Sequence, residues 1–266
     1  MRIMSLNAWG GRLHSRLISY LTEAKPDVIC LQEVTETMEA GQEWLTYRDG
    51  VHALPQRANL FAEVSNALPD HAAVFCPAAQ GVLWDGDVAL PSRWGIATFV
   101  HRSLAIIGQI QGFIHKKYSP NGYGEHPRSR SAHAVRIYDP AADRIATVTH
   151  MHGLRDPAGK SDTPERRAQA HRLLAIAGQM TEPGDLAVIC GDFNVEPGSE
   201  TFELTAEAGF TDLVTDGGHL GTRTSRYTKP GRFADYMLVN DTDLVRGFRV
   251  VREPEVSDHC PLVLEV

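Results

Sequence analysis

Ile189-Cys190-Gly191-Asp192-Phe193-Asn194-Val195 is the stretch on which the reading of this chain turns. It closes an apolar run, Leu186 to Cys190, that stops at Gly191 and then sets a carboxylate and an amide two residues apart. A short apolar run ended by glycine reads as a buried strand, and the polar pair as its C-terminal tip opening into a site. Alone, Gly-Asp-x-Asn is an ordinary turn, because Asp and Asn side chains bond their own backbone. The reading gains force because other strands along the chain end in the same way.

Upstream, Arg2 to Leu6 is a strand that stops at Asn7. Leu13, Leu17, Ile18 and Leu21 share a helical face that Pro26 ends, and Val28 to Leu31 is a second buried strand delivering Gln32-Glu33. Asn59 to Leu68 reads as a helix stopped by Pro69, followed by strands at Ala73–Cys76, Ile96–Val100 and Ile106–Ile110. Residues 115–131 are basic, aromatic and turn-rich, a long irregular loop of the kind that often carries function. Ala134–Tyr138 and Ile145–Thr149 form a hairpin around Asp139-Pro140. Thr163-Pro164-Glu165 opens a helix with a cap residue, a proline and an acid, and that helix runs to Met180. Ser199 caps a shorter helix that closes at Gly209, and Phe233–Val239 and Pro261–Val266 are the last strands.

The 266 residues show no composition break or short repeat, which predicts one domain over 1–266 of two sheets covered by helices. With 42% hydrophobic and 22% charged residues the chain has an ordinary globular composition and length enough for a large core. A net charge of -7 argues against a strongly basic nucleic-acid surface, though not against local basic patches. No apolar run reaches membrane-spanning length and no signal-peptide pattern is present, so the expectation is a cytoplasmic protein without stable membrane insertion. Cys30, Cys76, Cys190 and Cys260 each sit in or beside an apolar run with no C-x-x-C, so they read as buried reduced thiols rather than zinc ligands.

The polar tips are Asn7, Glu33, His150 with His152, Asp192 with Asn194, Asp235, and Asp258 with His259. Strand ends of one sheet converge in space, so residues far apart in sequence meet there. Carboxylates and an amide oxygen suit a hard cation, Mg²⁺ or Mn²⁺, whereas zinc favours more His or Cys. A hard cation beside an Asp–His couple suits attack of water on phosphorus.

Ser5-Leu6-Asn7, Leu31-Gln32-Glu33-Val34, Thr149-His150, Gly191-Asp192-Phe193-Asn194, Asp235-Tyr236 and Ser257-Asp258-His259, in that order, resemble the endonuclease/exonuclease/phosphatase superfamily. The resemblance spans nearly the whole chain; each motif is weak alone and the set is specific. It implies a DNase I-like α/β fold, a four-layer α/β/β/α sandwich of two mixed β-sheets, and divalent-metal-dependent phosphoester hydrolysis at the strand ends. Carried over by position, Glu33 is the principal metal ligand with Asn7 beside it, and Asp258 reaches the metal directly or through water. Asp192 positions or deprotonates the attacking water, and Asn194 orients that water or binds phosphoryl oxygens. His150 donates to the phosphate, and His259 is the other acid–base group, with Asp235 fixing its tautomer. Around Arg93-Trp94-Gly95 no further acid is found, which leaves a second metal-ligating carboxylate open.

The shared site sets the reaction and the loops set the substrate. Lys116, Lys117, Arg128 and Arg130 with Tyr118 and Tyr123, and Arg223, Arg226, Lys229 and Arg232 around Tyr227, form two basic–aromatic loops. They suit nucleic acid or a small phosphorylated molecule, with His152, Arg128, Arg130 and Tyr123 as candidate substrate contacts. Both loops are expected beside Glu33 and Asp192. Arg166 and Gln169, at i and i+3, read as structural. Asn7-Ala8-Trp9-Gly10-Gly11 has a flavour of the sphingomyelinase-like branch, which makes a phospholipid phosphodiesterase one alternative; an inactive phosphate- or nucleic-acid-binding module is another.

Overall fold

The computed structural model describes residues 1–50 and 52–266. In chain order the strands are β1 (Arg2–Asn7), β2 (Val28–Glu36), β3 (Trp44–Asp49), β4 (His52–Arg57), β5 (His71–Asp85), β6 (Val88–His101), β7 (Ala105–His115), β8 (Arg130–Asp139), β9 (Arg144–His152), β10 (Leu186–Asp192), β11 (Thr211–Asp212), β12 (Asp235–Val239), β13 (Gly247–Val250) and β14 (Leu262–Glu265). The helices are α1 (His14–Ala24), α2 (Leu60–Ala67), α3 (Pro164–Met180) and α4 (Glu200–Glu207). An eight-stranded sheet has the order β13-β14-β1-β2-β6-β5-β3-β4, and a six-stranded sheet the order β11-β12-β10-β9-β8-β7. The β1–β2 and β9–β10 pairs are parallel within otherwise antiparallel neighbours, so both sheets are mixed.

Side-chain alternation assigns the layers. Ile3, Val28 and Cys30 face the core between the sheets, where Val135, Val148 and Val188 meet them. Met4, Leu6, Ile29 and Leu31 point the other way, onto Leu17 and Leu21 of α1 and Leu60 and Val64 of α2. Each such Leu or Ile, fully buried, contributes roughly 1.5–3 kcal/mol. Leu173 and Ile176 of α3 cover the second sheet. The result is the expected four-layer α/β/β/α sandwich. Thr163 caps α3 by accepting from Arg166 N at 3.3 Å, and Ser199 caps α4 by accepting from Thr201 N at 3.2 Å, both as their sequence foretold. All four cysteines are buried and free. No helix among the described residues is long and apolar enough to cross a membrane.

Two strands depart from the sequence reading in ways that matter. Gly191 does not end β10; the strand runs on, pairing Asp192 with Asp235 on one side and with His152 on the other. Gly191 holds φ 135°, and a Cβ there would lie 2.1 Å from the Met151 carbonyl oxygen. Glycine is therefore required by the close approach of β9, not by a turn. Likewise β2 does not stop at Leu31 but continues to Glu36, with a register shift against β6 between Leu31 and Val34. The β5–β6 hairpin is much longer than the short strands expected, and β3 and β4 were not anticipated. Pro77, Gly81, Gly86 and Pro91 read as breakers, yet they sit at a bulge, inside the hairpin and at its tip.

Replacing Gly191 with Ala should destabilise the fold by roughly 2–4 kcal/mol, because backbone strain and a backbone clash add. Urea unfolding followed by circular dichroism measures this, and an unchanged midpoint would remove the close-approach account.

Candidate active site

The C-terminal ends of β1, β2, β9 and β10 and the N-terminal ends of β8, β12 and β14 converge. Asn7 stands at the centre: its Nδ2 donates to Asp192 Oδ2 at 2.9 Å and to Glu33 Oε1 at 3.2 Å. One amide thereby ties the two sheets together at the site. Its own oxygen accepts from Trp9 N at 3.0 Å. Asn7, expected beside the metal, holds two carboxylates at a fixed spacing through its Nδ2.

Glu33 reaches that place through the irregularity in β2. Strict alternation would put it on the face of Leu31, toward the helices. A positive φ of 57° within the bulge swings it to Asn7. Burial pushes its carboxyl up to about 7, with Asp258 and Asp192 adding to the rise while the Asn7 hydrogen bond opposes it. Three carboxylates facing one another in a buried cleft are chemically suited to a hard divalent cation, which would relieve their repulsion. Asp192, Asp235 and His259 also place ligand atoms within 4.8 Å of one another.

Asp235 and His259 form a couple. His259 Nδ1 lies 2.8 Å from both Asp235 oxygens, and its Nε2 lies 3.8 Å from Asp192 Oδ2. Arg223 Nη1 hydrogen-bonds His259 Nε2 and also donates to Asp258 Oδ2 at 3.2 Å. The network thus assigns the imidazole proton to Nδ1, directed at Asp235. Burial lowers His259 to about 4 and raises Asp235 to about 7, the latter opposed by Arg223. Both shifts have one cause, the cost of isolated charge in the interior, and they favour a neutral imidazole at neutral pH. Ser257 fastens this corner: its Oγ donates to the Asn7 carbonyl at 2.7 Å and accepts from His259 N at 3.2 Å.

Asn194, at φ 55°, donates its backbone N–H to Asp192 Oδ1 at 3.0 Å, and its Nδ2 donates to Gly153 O at 3.3 Å. The simple Asx turn is thus formed, with the Asn194 side chain directed at Gly153 beside Asp192. Phe193 points away into the core, packed on Phe202 and Tyr236.

The two histidines of β9 separate. His152 Nε2 lies 3.7 Å from Asp192 Oδ2, and its ring lies 5.1 Å from that of Trp94. His150, one pleat back on the same face, is shut between the sheets, where its Nε2 lies 2.8 Å from Thr98 Oγ1. His133 Nδ1 meets the same hydroxyl at 2.7 Å. Expected to donate to phosphate, His150 has its Nε2 engaged by Thr98 between the sheets, while His152 is the histidine of β9 that lies beside Asp192. Pattern alone could not choose, because His150 and His152 share a face.

Arg130 is buried beside the site, its Nε donating to Gly153 O at 2.7 Å and its guanidinium 4.9 Å above Trp94. Burial lowers it to about 10, with Glu33 and Asp192 pulling the other way. Arg128 and Tyr123, expected as substrate contacts with Arg130, are engaged elsewhere. Arg128 donates to Asp49 at 3.0 Å, and Tyr123 packs into the satellite core of Leu45, Ala79 and Leu83, its hydroxyl pushed up to about 12 by burial. The 115–131 loop does join β7 to β8 at the site end, and the loop before β12 brings in Arg223. Arg166 and Gln169 are internal fasteners: Arg166 bonds the carbonyls of Gly159 and Ser161 at 2.7 and 2.6 Å, and Gln169 accepts from Leu154 N at 2.7 Å. Arg155, exposed after β9, influences both Glu33 and His152 electrostatically and was missed in the sequence, where nothing marks it.

With this geometry in view, the comparisons are decisive about family. Residues 4–259 match the endonuclease/exonuclease/phosphatase family. The chain belongs to it. An endonuclease/exonuclease/phosphatase from Beutenbergia cavernae is similar at 18% identity and a TM-score of 0.70, over 99% of this chain and 70% of that one. The mannosyl-6-phosphatase Bt3783 of Bacteroides thetaiotaomicron is similar at 14% identity and a TM-score of 0.66, over 100% and 98% of the chains. TDP2 of D. rerio, complexed with a single strand DNA product, is similar at 14% and 0.62, over 99% and 97%. No curated protein matches the sequence. At these identities the structures speak for the fold, which is DNase I-like.

The buried histidine pair gives a stability test. Burial holds His133 down at about 4, against an ordinary value of 6.5. Above the ordinary value it is neutral in both states. Below it the unfolded chain takes up a proton that the folded ring refuses, so stability falls as pH drops toward the folded value. Urea unfolding at about pH 7 and about pH 4.5 should show the loss, and His133→Gln should lessen it by one group's share, since burial holds His259 down in the same way.

Proposed function

We propose that the chain, acting as one domain over 1–266, is a divalent-metal-dependent phosphoester hydrolase. The observation that carries the reading is the Asp192 carboxylate, set between the Asn7 amide, His152 and the Asp235-held His259. Membership of a family of phosphoester hydrolases supports it.

In this reading Asp192 and Asn194 hold the attacking water. His259, whose Nδ1–H donates to Asp235, carries an unprotonated Nε2 that accepts the proton of that water once Arg223 Nη1, its partner in the free site, turns to the phosphoryl group. His152 donates to a phosphoryl oxygen, and Arg130, Arg155 and Arg223 offset the charge that gathers there. Glu33 and Asp258, with Asp192 close by, hold the cation, and Asn7 keeps the first and last of these apart. When bound, Mg²⁺ or Mn²⁺ supplies Lewis-acid polarisation of a phosphoryl oxygen. Retention of the whole Asp235–His259 and Glu33–Asp192 set speaks against an inactive binding module.

Hydrolysis of a generic phosphodiester should require Mg²⁺ or Mn²⁺ and cease with chelator. Asp192→Ala and His259→Ala should each lower kcat by about 10²–10⁴-fold. Full activity surviving both would sink the mechanism. His152→Ala should cost about 10²-fold in kcat with the protein still folded, whereas His150→Ala should chiefly lower the unfolding midpoint with kcat little changed. The opposite pattern would return the phosphate contact to His150. Differential scanning fluorimetry should show Mg²⁺ or Mn²⁺ raising Tm in the wild type and not in Glu33→Gln; an equal rise in both would displace Glu33 from the cation.

A further inference from the structure

A cleft of about 360 Å³ opens beside the site, lined by Trp9, Arg12, Leu13, Trp44, Pro55 and Arg226. Three separate stretches build it: the turn after β1, the β3–β4 hairpin and the loop before β12. It shares a wall with the catalytic residues. The Trp9 backbone N–H donates to Asn7 Oδ1 at 3.0 Å, and Arg223, in the loop that carries Arg226, donates to Asp258.

The chain accepts an uncommon backbone to form it. Trp9 holds φ 51°, an outlying conformation for a bulky residue. Gly10 follows at φ 58°, where a Cβ would lie 1.8 Å from Gln56 Oε1 on β4. Each indole is braced by a guanidinium: Arg12 lies 4.1 Å from the Trp9 ring centre and Arg57 lies 4.8 Å from that of Trp44. Trp44 nonetheless stays 40% exposed, which is unusual for so large an apolar group.

The lining selects the occupant's chemistry. Arg226 pairs with Glu255 at 3.2 Å, but Arg12 has no carboxylate partner among the described residues. A quaternary ammonium headgroup would meet two guanidiniums, which disfavours a choline phospholipid. A sugar would find no carboxylate or amide in the lining to accept its hydroxyls. A nucleobase stacks on indoles, and its flanking phosphate meets Arg12. The overall net charge of -7 does not oppose this, because the acids lie outside the cleft's lining.

We propose that the cleft is a nucleotide subsite, taking the base and flanking phosphate next to the scissile phosphodiester of a single-stranded nucleic acid. The inference rests on the phosphoester-hydrolase reading and names its substrate class. A base still stacked in a duplex cannot enter a pocket of this kind, so single strands are the preferred form.

Wild type, Trp44→Ala, Trp44→Phe and Arg12→Ala are compared on a short single-stranded oligothymidylate and on bis(p-nitrophenyl) phosphate, with circular dichroism to check folding. The ratio of kcat/KM for the oligonucleotide over the small diester should fall about tenfold in Trp44→Ala and Arg12→Ala. Trp44→Phe, which keeps a stacking ring, should retain most of that ratio. In chelator, the oligonucleotide should quench indole fluorescence of the wild type, with affinity lowered about tenfold by Arg12→Ala. An unchanged ratio overturns the subsite. Hydrolysis of the small diester without oligonucleotide binding overturns the subsite and leaves the hydrolase reading standing. Quenching lowered by Arg12→Ala, with neither diester hydrolysed, supports the subsite and overturns the hydrolase reading.

Discussion

The Asn7 amide group, shared between Glu33 and Asp192, is the contact on which the site depends. Glu33 and Asn7 belong to one sheet and Asp192 to the other, so the bond is also a seam between the two halves of the sandwich. Hydrogen bonds to charged acceptors in a dry cleft are stronger than neutral ones. This one sets the separation of carboxylates that burial and mutual repulsion would otherwise drive apart. Ser257, bonded to the carbonyl of the same Asn7, passes that spacing on to Asp258 and His259.

A second layer of fasteners holds the rim. Arg166 donates its guanidinium to the carbonyls of Gly159 and Ser161 and so pins the loop after β9. Gln169, on the same helix face, pins Leu154. The loop that carries Gly153, the acceptor for both Arg130 and Asn194, is therefore positioned from α3. Arg93-Trp94, which supplied no extra acid, supplies instead an indole wall between His152 and Arg130.

Much of the sandwich was legible because alternation and caps are local signals. β1, α1, α3, α4 and β10 follow from apolar spacing and from Thr163 and Ser199. The distal β5–β6 hairpin and β3–β4 were not legible, since half-exposed strands interrupted by Pro77, Pro91 and Gly81 lack a clean period. Glu33 and Asp192 stand out in the sequence because each follows a buried run, whereas Asp235 opens β12 and Asp258-His259 precede β14, so those three are marked only by the order of the motifs. The choice between His150 and His152 was not available, for both occupy one face and only the Thr98 hydroxyl of the opposite sheet tells them apart. The engagement of Arg128 with Asp49 and of Tyr123 with Leu45 and Leu83 was not legible for a related reason: composition marks a loop as basic and aromatic but does not say which of its side chains fold inward.

The bulge at Glu33 has a consequence for how this site is inherited. A carboxylate delivered by one extra residue in a ladder is specified by pairing register as much as by side-chain identity. Removing Gln32 from the three-for-two step between Leu31 and Val34 would restore regular pleating and take the acid out of the positive-φ position that aims it at Asn7, with Glu33, Asp192, Asp258 and His259 still present in the sequence. Two chains with identical catalytic letters can therefore differ in whether those letters ever meet.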